Sequence, residues 1–543
     1  MSVETISTTP IDGQVPGTSG LRKKTAVFMQ PGYLKNFVQS IFNAIGGAAG
    51  KTFVVGGDGR FFNAEATQTI LKMAAGNRAA KVIVGQNGIL STPAASHLIR
   101  LNKTDGGLIL SASHNPGGIT EDFGIKFNTP NGGPAPEIVT HEITRHSASI
   151  TEYKSVQTDD IDLSAIGDQT LGDMQISIVD PVTDYQVLMQ QIFDFDKIRA
   201  LFASGFNMRF DAMHAVTGPY AKAVLEGALG AKAGSVVNGT PLPDFGGGHP
   251  DPNPVWAKAL MDEMMGDAAP DFGAASDGDG DRNMIVGRGA YVTPSDSLAV
   301  LTANATLVPA YAGGLAGVAR SMPTSAACDR VADKLGIEAF VTPTGWKFFG
   351  NLLDAGRTTL CGEESAGTGS DHVREKDGLW AVLMWLNIIA ERRLSVAEIL
   401  SDHWDSFGRN FYSRHDYEAV NAAAANELMT MLRDLVDTLA GQRFGGLTVT
   451  KAEDYAYTDP IDNSVSEHQG IQIWFDGGSR AVLRLSGTGT EGATLRIYLE
   501  QFSADASEHG LETQLALDSV RDAVLEIAQV EKRLGRIEPD VMT

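Results

Sequence analysis

The sequence predicts an α/β fold built from several domains, with a different, α+β architecture near the C-terminus. The chain of 543 residues is too long for a single hydrophobic core. Over about the first 400 residues, short apolar runs alternate with helical patterns, which favours crossover connections and largely parallel sheets. In the last quarter, apolar and polar residues alternate strictly, as is typical of an antiparallel sheet with one buried face.

The first α/β unit shows the alternation most clearly. Pro31 precedes apolar residues at helical spacing, and Gly46 and Gly47 end that helix. Ligands of such sheets gather at the carboxyl ends of the strands, so the loops that follow the strands are candidate sites. The predicted strands of the three units cover residues 52–55, 81–84 and 108–110, then 207–213, 235–238 and 272–275, and finally 317–320, 339–341 and 358–360.

The C-terminal part is predicted to be an antiparallel sheet beside helices. Ile471, Ile473 and Phe475 share one face of a strand, and a helix with an apolar face follows near Val520. We expect the linker between the two architectures near residues 407–415.

A glycine- and proline-rich segment, 246–254, has an ambiguous composition. Its His249 and Asp251 could ligate a metal. The prolines and glycines around them favour an extended surface connection instead. The acidic stretch 159–162 is expected to be a solvated loop.

The net charge of −23 narrows the classes of partner. Such an acidic chain is not expected to bind nucleic acid or an anionic membrane surface. An anionic ligand would need a local group of cations in one cleft. The candidates for that group are Arg22, Lys126, Arg282, Lys376, Arg484 and Arg496.

The predicted compartment is the cytoplasm. The sequence has two cysteines, Cys328 and Cys361, which fit reduced thiols better than a disulfide framework. The first 20 residues lack a basic segment followed by an apolar core, so no secretory signal is expected. The most apolar stretch, 379–390, is too short to span a bilayer and predicts a buried helix.

The segment 108–118 contains a candidate nucleophile. Its first three residues predict a short buried strand, which ends in a turn of small residues where Ser113 exposes a hydroxyl. The proline and glycines of the turn let the backbone bend sharply and approach a ligand. A pair such as Ser113 and His114 more often belongs to an ordinary loop, so this motif needs independent support.

A second motif supplies that support. Asp277, Asp279 and Asp281 alternate with glycines, so the backbone can curl and direct three carboxylates at one Mg²⁺. The neighbouring Arg282 can bind phosphate. An EF-hand loop requires Gly at its sixth position and Glu at its twelfth, where this chain has Arg282 and Arg288, so that alternative fails.

Two further loops carry polar groups suited to a sugar phosphate. Glu363 and Ser365 can bind neighbouring sugar hydroxyls, and Glu363 occupies the place where a nucleophile elbow requires glycine. Arg484, Ser486 and the glycine-rich segment 487–490 have the composition of a phosphate cradle. A serine, a Mg²⁺ site and phosphate-binding arginines together indicate phosphoryl transfer through a phosphoserine.

These four loops occur in the order found in the α-D-phosphohexomutase superfamily. The chain resembles that family over nearly its whole length, and its phosphoglucomutase branch above all. Similar segments are 17–22, 124–128, 319–325, 343–347, 369–378 and 536–543. The resemblance implies three similar α/β domains with mixed, largely parallel sheets and a C-terminal α+β domain with an antiparallel sheet, around a central cleft. The expected boundaries are 1–183, 184–300, 301–406 and 407–543, and the last domain is expected to close over the substrate.

The resemblance also implies an activity. The expected enzyme is an isomerase that interconverts glucose 1-phosphate and glucose 6-phosphate, with phosphate carried on Ser113 and glucose 1,6-bisphosphate as intermediate and activator. One Mg²⁺ would be held by Asp277, Asp279 and Asp281 with the phosphate of Ser113. The residues implied to bind substrate are Arg22, Ser113, Lys126, Arg282, Thr344, Gly345, Glu363, Ser365, Lys376, Arg484, Ser486, Gly487, Thr488 and Arg496.

Some points stay open at this stage. His114, Lys126 and Lys376 are all candidates for proton transfer, and a lysine could serve if neighbouring cations depress its pKa. Gly367 stands where the phosphomannomutase and phosphoglucosamine mutase branches usually carry His, which favours glucose as substrate. The alternatives are a mutase for mannose or another hexose phosphate, a phosphatase, and a non-catalytic scaffold relative. The expected partner is a hexose phosphate, and the expected state is a monomer or weak dimer.

Overall fold

The computed structural model describes residues 2–17, 19–486 and 492–543. The predicted substrate-binding residues Gly487 and Thr488 lie outside the described residues. The described chain forms three α/β domains with mixed sheets, followed by a domain with an antiparallel sheet. None of the described helices combines the length and the apolar character that a membrane crossing requires.

The first α/β domain places the serine loop at the end of a central strand. Its elements are β1 (Val3–Ser7), β2 (Leu21–Lys24), α1 (Thr25–Phe28), α2 (Tyr33–Ala44), β3 (Thr52–Gly57), α3 (Asn63–Gly76), β4 (Lys81–Ile89), α4 (Thr92–Leu101), β5 (Gly107–Leu110), β6 (Asp122–Asn128), α5 (Glu137–Ser147), β7 (Glu152–Val156), β8 (Gly167–Leu171) and β9 (Met174–Val179). The main sheet has the order β2-β6-β5-β3-β4-β9-β8. Pairing is parallel from β5 to β9 and antiparallel at both edges. Every residue of β5 is buried, so this strand is apolar throughout.

The second domain presents the metal loop as the turn of a hairpin. Its elements are α6 (Thr183–Ile192), α7 (Phe195–Ala203), β10 (Met208–Asp211), α8 (Thr217–Ala221), β11 (Val236–Val237), α9 (Lys258–Met264), β12 (Phe272–Ser276), β13 (Asn283–Gly287) and β14 (Ala290–Val292). The sheet order is β11-β10-β12-β13-β14. The first three strands are parallel, and the last two pair antiparallel.

The third domain repeats this arrangement with the sugar loop. Its elements are α10 (Pro294–Asn304), β15 (Gly317–Ser321), α11 (Ala327–Leu335), β16 (Glu338–Thr342), α12 (Lys347–Asp354), β17 (Leu360–Glu363), β18 (Gly367–Ser370), α13 (Gly378–Arg392) and α14 (Val396–Phe407). The sheet order is β16-β15-β17-β18, with the β17–β18 hairpin antiparallel. A β-bridge between Arg282 and Gly367 joins the metal hairpin to the sugar hairpin.

The fourth domain is an antiparallel sheet beside helices. Its elements are β19 (Arg409–Val420), α15 (Ala422–Leu439), β20 (Arg443–Phe444), β21 (Leu447–Asp454), β22 (Tyr457–Thr458), β23 (Val465–Ser466), β24 (Ile471–Phe475), β25 (Arg480–Ser486), β26 (Ala493–Ser503), α16 (Thr513–Ala528), α17 (Val530–Leu534) and β27 (Val541–Met542). The main sheet has the order β20-β21-β24-β25-β26-β19-β27. The two architectures meet at Gly408, inside the stretch 407–415 expected to hold the linker, but residues from Arg409 onward form β19 instead of a linker. Residues of this stretch pair with β26, which no local signal in the sequence reveals.

Three large hydrophobic clusters hold the described domains, and one of them lies within the first domain, from Leu21 to Ile178. Another cluster combines residues of the first three domains, such as Ile109, Phe272 and Leu360. The helix α13 lies inside it, with 13 of its 15 residues buried, as its apolar sequence predicts. The fourth domain has its own cluster, whose members lie between Phe411 and Val530.

Candidate active site

The serine loop holds Ser113 at the bottom of the cleft. Ser113 follows β5 and adopts a left-handed backbone conformation, with φ of 54°. The residue is only 2% exposed. Its Oγ donates a hydrogen bond to Oδ2 of Asp277 (3.0 Å), and its amide donates to Oγ of Ser111 (2.7 Å). The predicted nucleophile and the first residue of the predicted metal loop are therefore in direct contact.

The three aspartates of the metal loop form one buried cluster. Oxygens of Asp277, Asp279 and Asp281 lie within 4.8 Å of one another. Oδ1 of Asp279 and Oδ1 of Asp281 are buried and have no hydrogen-bond partner among the described residues. Thr92 donates to the other oxygen of Asp279 (2.7 Å). Buried carboxylate oxygens without partners are costly, so this set of hard oxygen donors fits a divalent cation.

The pKa values of Asp277 and Asp279 shift in opposite directions. Burial, together with Asp281 and Asp279, raises the pKa of Asp277 well above its ordinary value. Burial acts in the same direction on Asp279, but the charges of Lys126, Lys376 and Arg22, together with the hydrogen bond from Thr92, outweigh it and lower the pKa of Asp279 to about 2. The site thus concentrates negative charge that nearby cations offset only in part.

Two lysines from different segments reach the same cavity. Lys126 pairs with Glu375 (3.0 Å), which also accepts a hydrogen bond from Asn128 (2.8 Å). Burial opposes the charge of Lys126, but Glu375 and the metal-loop aspartates outweigh burial and raise the pKa of Lys126. This lysine therefore stays protonated, whereas the sequence allowed for a lysine of depressed pKa.

The second lysine, Lys376, lies against both the metal loop and the sugar hairpin. Its Nζ is 3.2 Å from Oδ2 of Asp281. A Cβ placed on Gly367 would lie 2.3 Å from Cδ of Lys376. Lys376 therefore fills the space that a side chain at position 367 would need, which explains why glycine and this lysine occur together.

His114 lies beside Ser113 and under several cations. Its Nδ1 is 3.4 Å from Oγ of Ser113, and its ring stacks on that of His249 with 6.1 Å between centroids. Burial, followed by Arg282 and Arg22, lowers the pKa of His114 well below its ordinary value. His114 is therefore neutral near pH 7.

The segment 246–254 has a different role from the one expected. It is not only a surface connection, because Asp251 lies 3.6 Å from Arg282 and His249 stacks against the serine loop. Burial would lower the pKa of Arg282, but Asp251 and Asp277 raise it. The sequence marked His249 and Asp251 as polar candidates. Which residues their side chains contact depends on the tertiary fold.

The sugar loop is held from two domains. Oε1 of Glu363 accepts a hydrogen bond from the amide of Gly345 (2.8 Å), and burial raises the pKa of Glu363. The amide of Glu364 donates to Oγ1 of Thr324 (2.9 Å). The carboxylate of Glu364 pairs with Arg414 of the fourth domain (3.2 Å).

The phosphate side of the cleft comes from two neighbouring strands of the fourth domain. Arg484 on β25 lies opposite Arg496 on β26, and Ser486 ends β25. Arg484 donates to the carbonyl of Gln469 (3.1 Å), and Arg496 lies 3.6 Å from Asp416. Among the described residues, the other donors of both arginines have no hydrogen-bond partner, so they can bind an anion.

A cavity of about 280 Å³ joins the four loops. Ser113 and Asp277 are not lining residues of this cavity, but they contact Ser111, Asp281 and Arg282, which are, and His114 lines a neighbouring cavity. The predicted residues that line it are Arg22, Lys126, Asp279, Asp281, Arg282, Thr344, Gly345, Glu363, Ser365, Lys376, Arg484, Ser486 and Arg496. The cavity thus offers a hydroxyl nucleophile, a cation-binding cluster, groups for sugar hydroxyls and a set of cations for phosphate.

Models of known families match nearly the whole chain. The phosphoglucomutase/phosphomannomutase α/β/α domains I, II and III match residues 13–154, 184–289 and 294–407, and the phosphoglucomutase-1 C-terminal domain matches residues 409–540. The chain belongs to the phosphoglucomutase/phosphomannomutase family. The family and fold class predicted from the sequence are confirmed.

Relatives of known name in the phosphoglucomutase family are similar over the full length. A phosphoglucomutase of Rhizobium radiobacter is 59% identical over 541 residues, and the alignment covers 100% of both chains. A phosphoglucomutase of Schizosaccharomyces pombe is 51% identical over 554 residues, again covering 100% of both. The open form of pp63/parafusin, a phosphoglucomutase from Paramecium, superposes with a TM-score of 0.93 at 48% identity, covering 100% of this chain and 99% of that one.

Sequence reasoning missed several residues that complete this site. Glu375 precedes the predicted Lys376. Its pairing with Lys126 joins two segments that are 249 residues apart in the chain. Arg414 lies in the stretch taken for a linker. Membership of the phosphoglucomutase/phosphomannomutase family therefore rests on the motifs, while these supporting contacts needed the structure.

Proposed function

We propose that this chain is a phosphoglucomutase, which interconverts glucose 1-phosphate and glucose 6-phosphate through phosphoserine at position 113 and a glucose 1,6-bisphosphate intermediate. The observation that carries the proposal is the contact of Ser113 Oγ with a buried aspartate cluster beside a cavity lined by cations. Full-length relatives named phosphoglucomutase support it at 51–59% identity.

Mg²⁺ is the proposed cofactor. Asp277, Asp279 and Asp281, with phosphorylated Ser113, would hold it, and the partnerless oxygens Oδ1 of Asp279 and Asp281 support this assignment. When bound, Mg²⁺ would neutralise charge on the phosphoryl group at Ser113. The neighbouring aspartates prepare the loop for a cation because the nearby lysines and arginines compensate their mutual repulsion only in part.

The phosphoryl group would move between Ser113 Oγ and the sugar. In one half-reaction, the P–Oγ bond breaks while a sugar hydroxyl oxygen bonds to phosphorus, which yields glucose 1,6-bisphosphate. In the other, Oγ bonds to the second phosphate, and the bond from that phosphorus to the sugar oxygen breaks. Glucose 1,6-bisphosphate would also act as activator by phosphorylating free Ser113.

Lys376 is proposed to move the proton of the reacting sugar hydroxyl. It lines the cavity, and its side chain occupies the volume that a side chain at position 367 would need. Lys126, held protonated by Glu375, is proposed to bind the transferring phosphate. The neutral His114 is proposed to orient the serine hydroxyl.

The remaining residues are proposed to bind the sugar in both orientations. Glu363 and Ser365 would bind ring hydroxyls, since both lie in the wall of the cavity between the two phosphate positions. Arg22, Arg282, Thr344 and Gly345 line the same cavity. Arg484, Ser486 and Arg496, together with Gly487 and Thr488, would bind the phosphate that does not react.

Domain limits, compartment and assembly remain part of the proposal. Of the expected boundaries 1–183, 184–300, 301–406 and 407–543, we propose to move the second from residue 300 to residue 293, because residue 300 lies inside α10 (Pro294–Asn304), the first helix of the third domain. A cytoplasmic location is supported by two buried cysteines, Cys328 and Cys361, that are free in the described structure. A monomer or weak dimer, with no nucleic acid or membrane partner, is proposed from the net charge of −23.

The decisive experiment measures glucose 6-phosphate formed from glucose 1-phosphate, with Mg²⁺ and a trace of glucose 1,6-bisphosphate. We expect isomerisation by the wild type with little free phosphate, and loss of isomerisation both in Ser113→Ala and with EDTA. Release of phosphate would indicate a phosphatase. A higher kcat/KM for mannose 1-phosphate would indicate a phosphomannomutase, and a folded wild type without turnover would overturn the proposal.

A further inference from the structure

Arg60 is a buried arginine that lies directly beneath the serine loop. It follows β3, and its side chain is 0% exposed. No motif in the sequence marks it, because Asp58, Gly59 and Arg60 look like an ordinary turn. A fully buried guanidinium is costly unless it is paired and hydrogen-bonded, so its partners indicate what it does.

The guanidinium donates to main-chain carbonyls at both ends of the serine loop. Nη2 donates to the carbonyl of Ser113 (2.7 Å), and Nη1 donates to the carbonyls of Asp122 (2.9 Å) and Asn115 (3.3 Å). A rigid fork can satisfy several carbonyls at once, which a lysine ammonium on a flexible stem reproduces less well.

Asp58 fixes the orientation of this fork. Its carboxylate accepts from Nε of Arg60 (2.9 Å) and from the Arg60 amide (3.1 Å). The amide of Asp58 donates to the carbonyl of Leu110, the last residue of β5 (3.1 Å). Arg60 is therefore anchored to the strand that leads into the serine loop.

The opposite side of Arg60 contacts the second domain. The ring of Phe245 lies 5.2 Å from Cζ of Arg60. A Cβ on Gly278 of the metal loop would come within 2.4 Å of the Ser113 carbonyl and 3.3 Å of Nη2 of Arg60. The fork, the Ser113 carbonyl and the metal loop thus meet in one closely packed layer.

We propose that Arg60 is a positioning residue for phosphoryl transfer. It holds the main chain of Ser113 in its left-handed conformation, φ of 54°, and so directs Oγ toward the aspartate cluster. Without the fork, the Ser113 carbonyl loses a buried donor and the loop can relax away from Gly278. This inference rests on the proposed phosphoserine function. Arg60 does not line the cavity, and it contacts Ser113 only through the main-chain carbonyl.

The test compares Arg60→Lys with Arg209→Lys. Arg209 offers a comparable set of hydrogen bonds, since it pairs with both oxygens of Glu263 and donates to the carbonyl of Gly234, and it lies on β10, outside the cavity. For Arg60→Lys we expect kcat for glucose 1-phosphate to fall about 100-fold, because displacing a reacting group by about 1 Å has an effect of that order. The KM should stay within about threefold, since the substrate-binding groups are unchanged.

A single-turnover measurement makes the test specific. Transfer of phosphate from glucose 1,6-bisphosphate to Ser113, followed with radiolabelled phosphate, should slow by the same factor as kcat, while Mg²⁺ affinity and the kinetics of Arg209→Lys stay at wild-type values. If Arg60→Lys does not fold, Asp58→Asn replaces it and is judged by the same criteria.

The inference is overturned if the transfer rate is unchanged, or if the loss lies in KM or in Mg²⁺ affinity. If the wild type turns over glucose 1-phosphate and Arg60→Lys turns it over equally fast, only this inference fails. A wild type without mutase activity removes the proposed function as well.

Discussion

The first three domains and the fourth domain contribute to one cavity but are held together differently. Ser113, Asp277 and Glu363 are buried and stand on hairpins and loops of a single shared core. Arg496 stands on a separately packed domain, and its side chain is 32% exposed. The comparison indicates that the groups proposed for chemistry are rigidly fixed, whereas the groups proposed to hold the second phosphate can move with their domain.

The contacts between these two regions combine hydrogen bonds and ion pairs with a small apolar cluster, in which Met322 packs against Tyr412, Val482 and Tyr498. Arg480 of the fourth domain donates to the carbonyls of Met322 (2.9 Å) and Thr324 (2.8 Å), and Arg414 pairs with Glu364. An interface of polar contacts and one small apolar cluster permits relative domain motion more readily than a continuous apolar core. If the fourth domain closes over substrate, these contacts between the domains would rearrange.

The largest effect should come from the rigid region. We expect Lys376→Met to lower kcat by about 10²–10⁴-fold, the usual range for loss of a general acid or base, and to spare Mg²⁺ binding. Steady-state kinetics with glucose 1-phosphate measure this. Lys72→Met is the control, because Lys72 pairs with Asp160 (2.7 Å) outside the cavity. Near-normal turnover of the Lys376 variant would transfer the role to Lys126, to be examined as Lys126→Met.

The next prediction tests whether the fourth domain packs separately from the first three domains. Leu383 is fully buried in α13, and Leu495 is fully buried in the fourth domain. Each change to alanine should lower the free energy of unfolding by about 2–5 kcal/mol. Hydrogen exchange should show the Leu383→Ala loss across the first three domains and the Leu495→Ala loss in the fourth alone. Equal loss across all four domains after either change would contradict a separately packed fourth domain.

A smaller effect is expected on the phosphate side. Arg496→Met should remove charge-assisted hydrogen bonds worth about 1.5–3 kcal/mol, which corresponds to roughly a 10–100-fold higher KM for glucose 1-phosphate. The kcat should fall less than in Lys376→Met. Arg433→Met is the control, since Arg433 has a similar exposure of 34% and pairs with Asp454. A drop in kcat with unchanged KM would assign Arg496 to the chemical step instead.

The smallest effect concerns pH and the helix that leads to the fourth domain. Burial lowers the pKa of His403 in α14 from 6.5 to about 4. The unfolded chain therefore takes up the proton first, so stability is complete above pH 6.5 and is lost as the pH falls toward 4. Between pH 7.5 and 5.5 the loss should be about 1 kcal/mol. Denaturant unfolding at both pH values checks this, and His403→Gln should remove that part of the pH dependence.

The predicted loops and their supporting contacts differ in how far the sequence revealed them. Asp277, Asp279 and Asp281 are close in the chain, so their spacing alone predicted a cation site. Glu375, Arg414 and Arg60 act on segments distant in the chain, and no local pattern distinguishes them from ordinary charged residues. Most of the stretch expected to hold the linker is strand for the same reason, because β19 is stabilised by pairing with β26, about 80 residues away.

The sequence by itself determined the family, the fold class and the loops that carry the chemistry, because these depend on short patterns of residue types and on local backbone requirements. Only the tertiary structure decided which charges face each other, how Lys376 fills the space beside Gly367, and how Arg60 supports Ser113. Those features arise from contacts between segments that meet only after folding. Burial then sets their pKa values and hydrogen bonds, which a linear pattern does not specify.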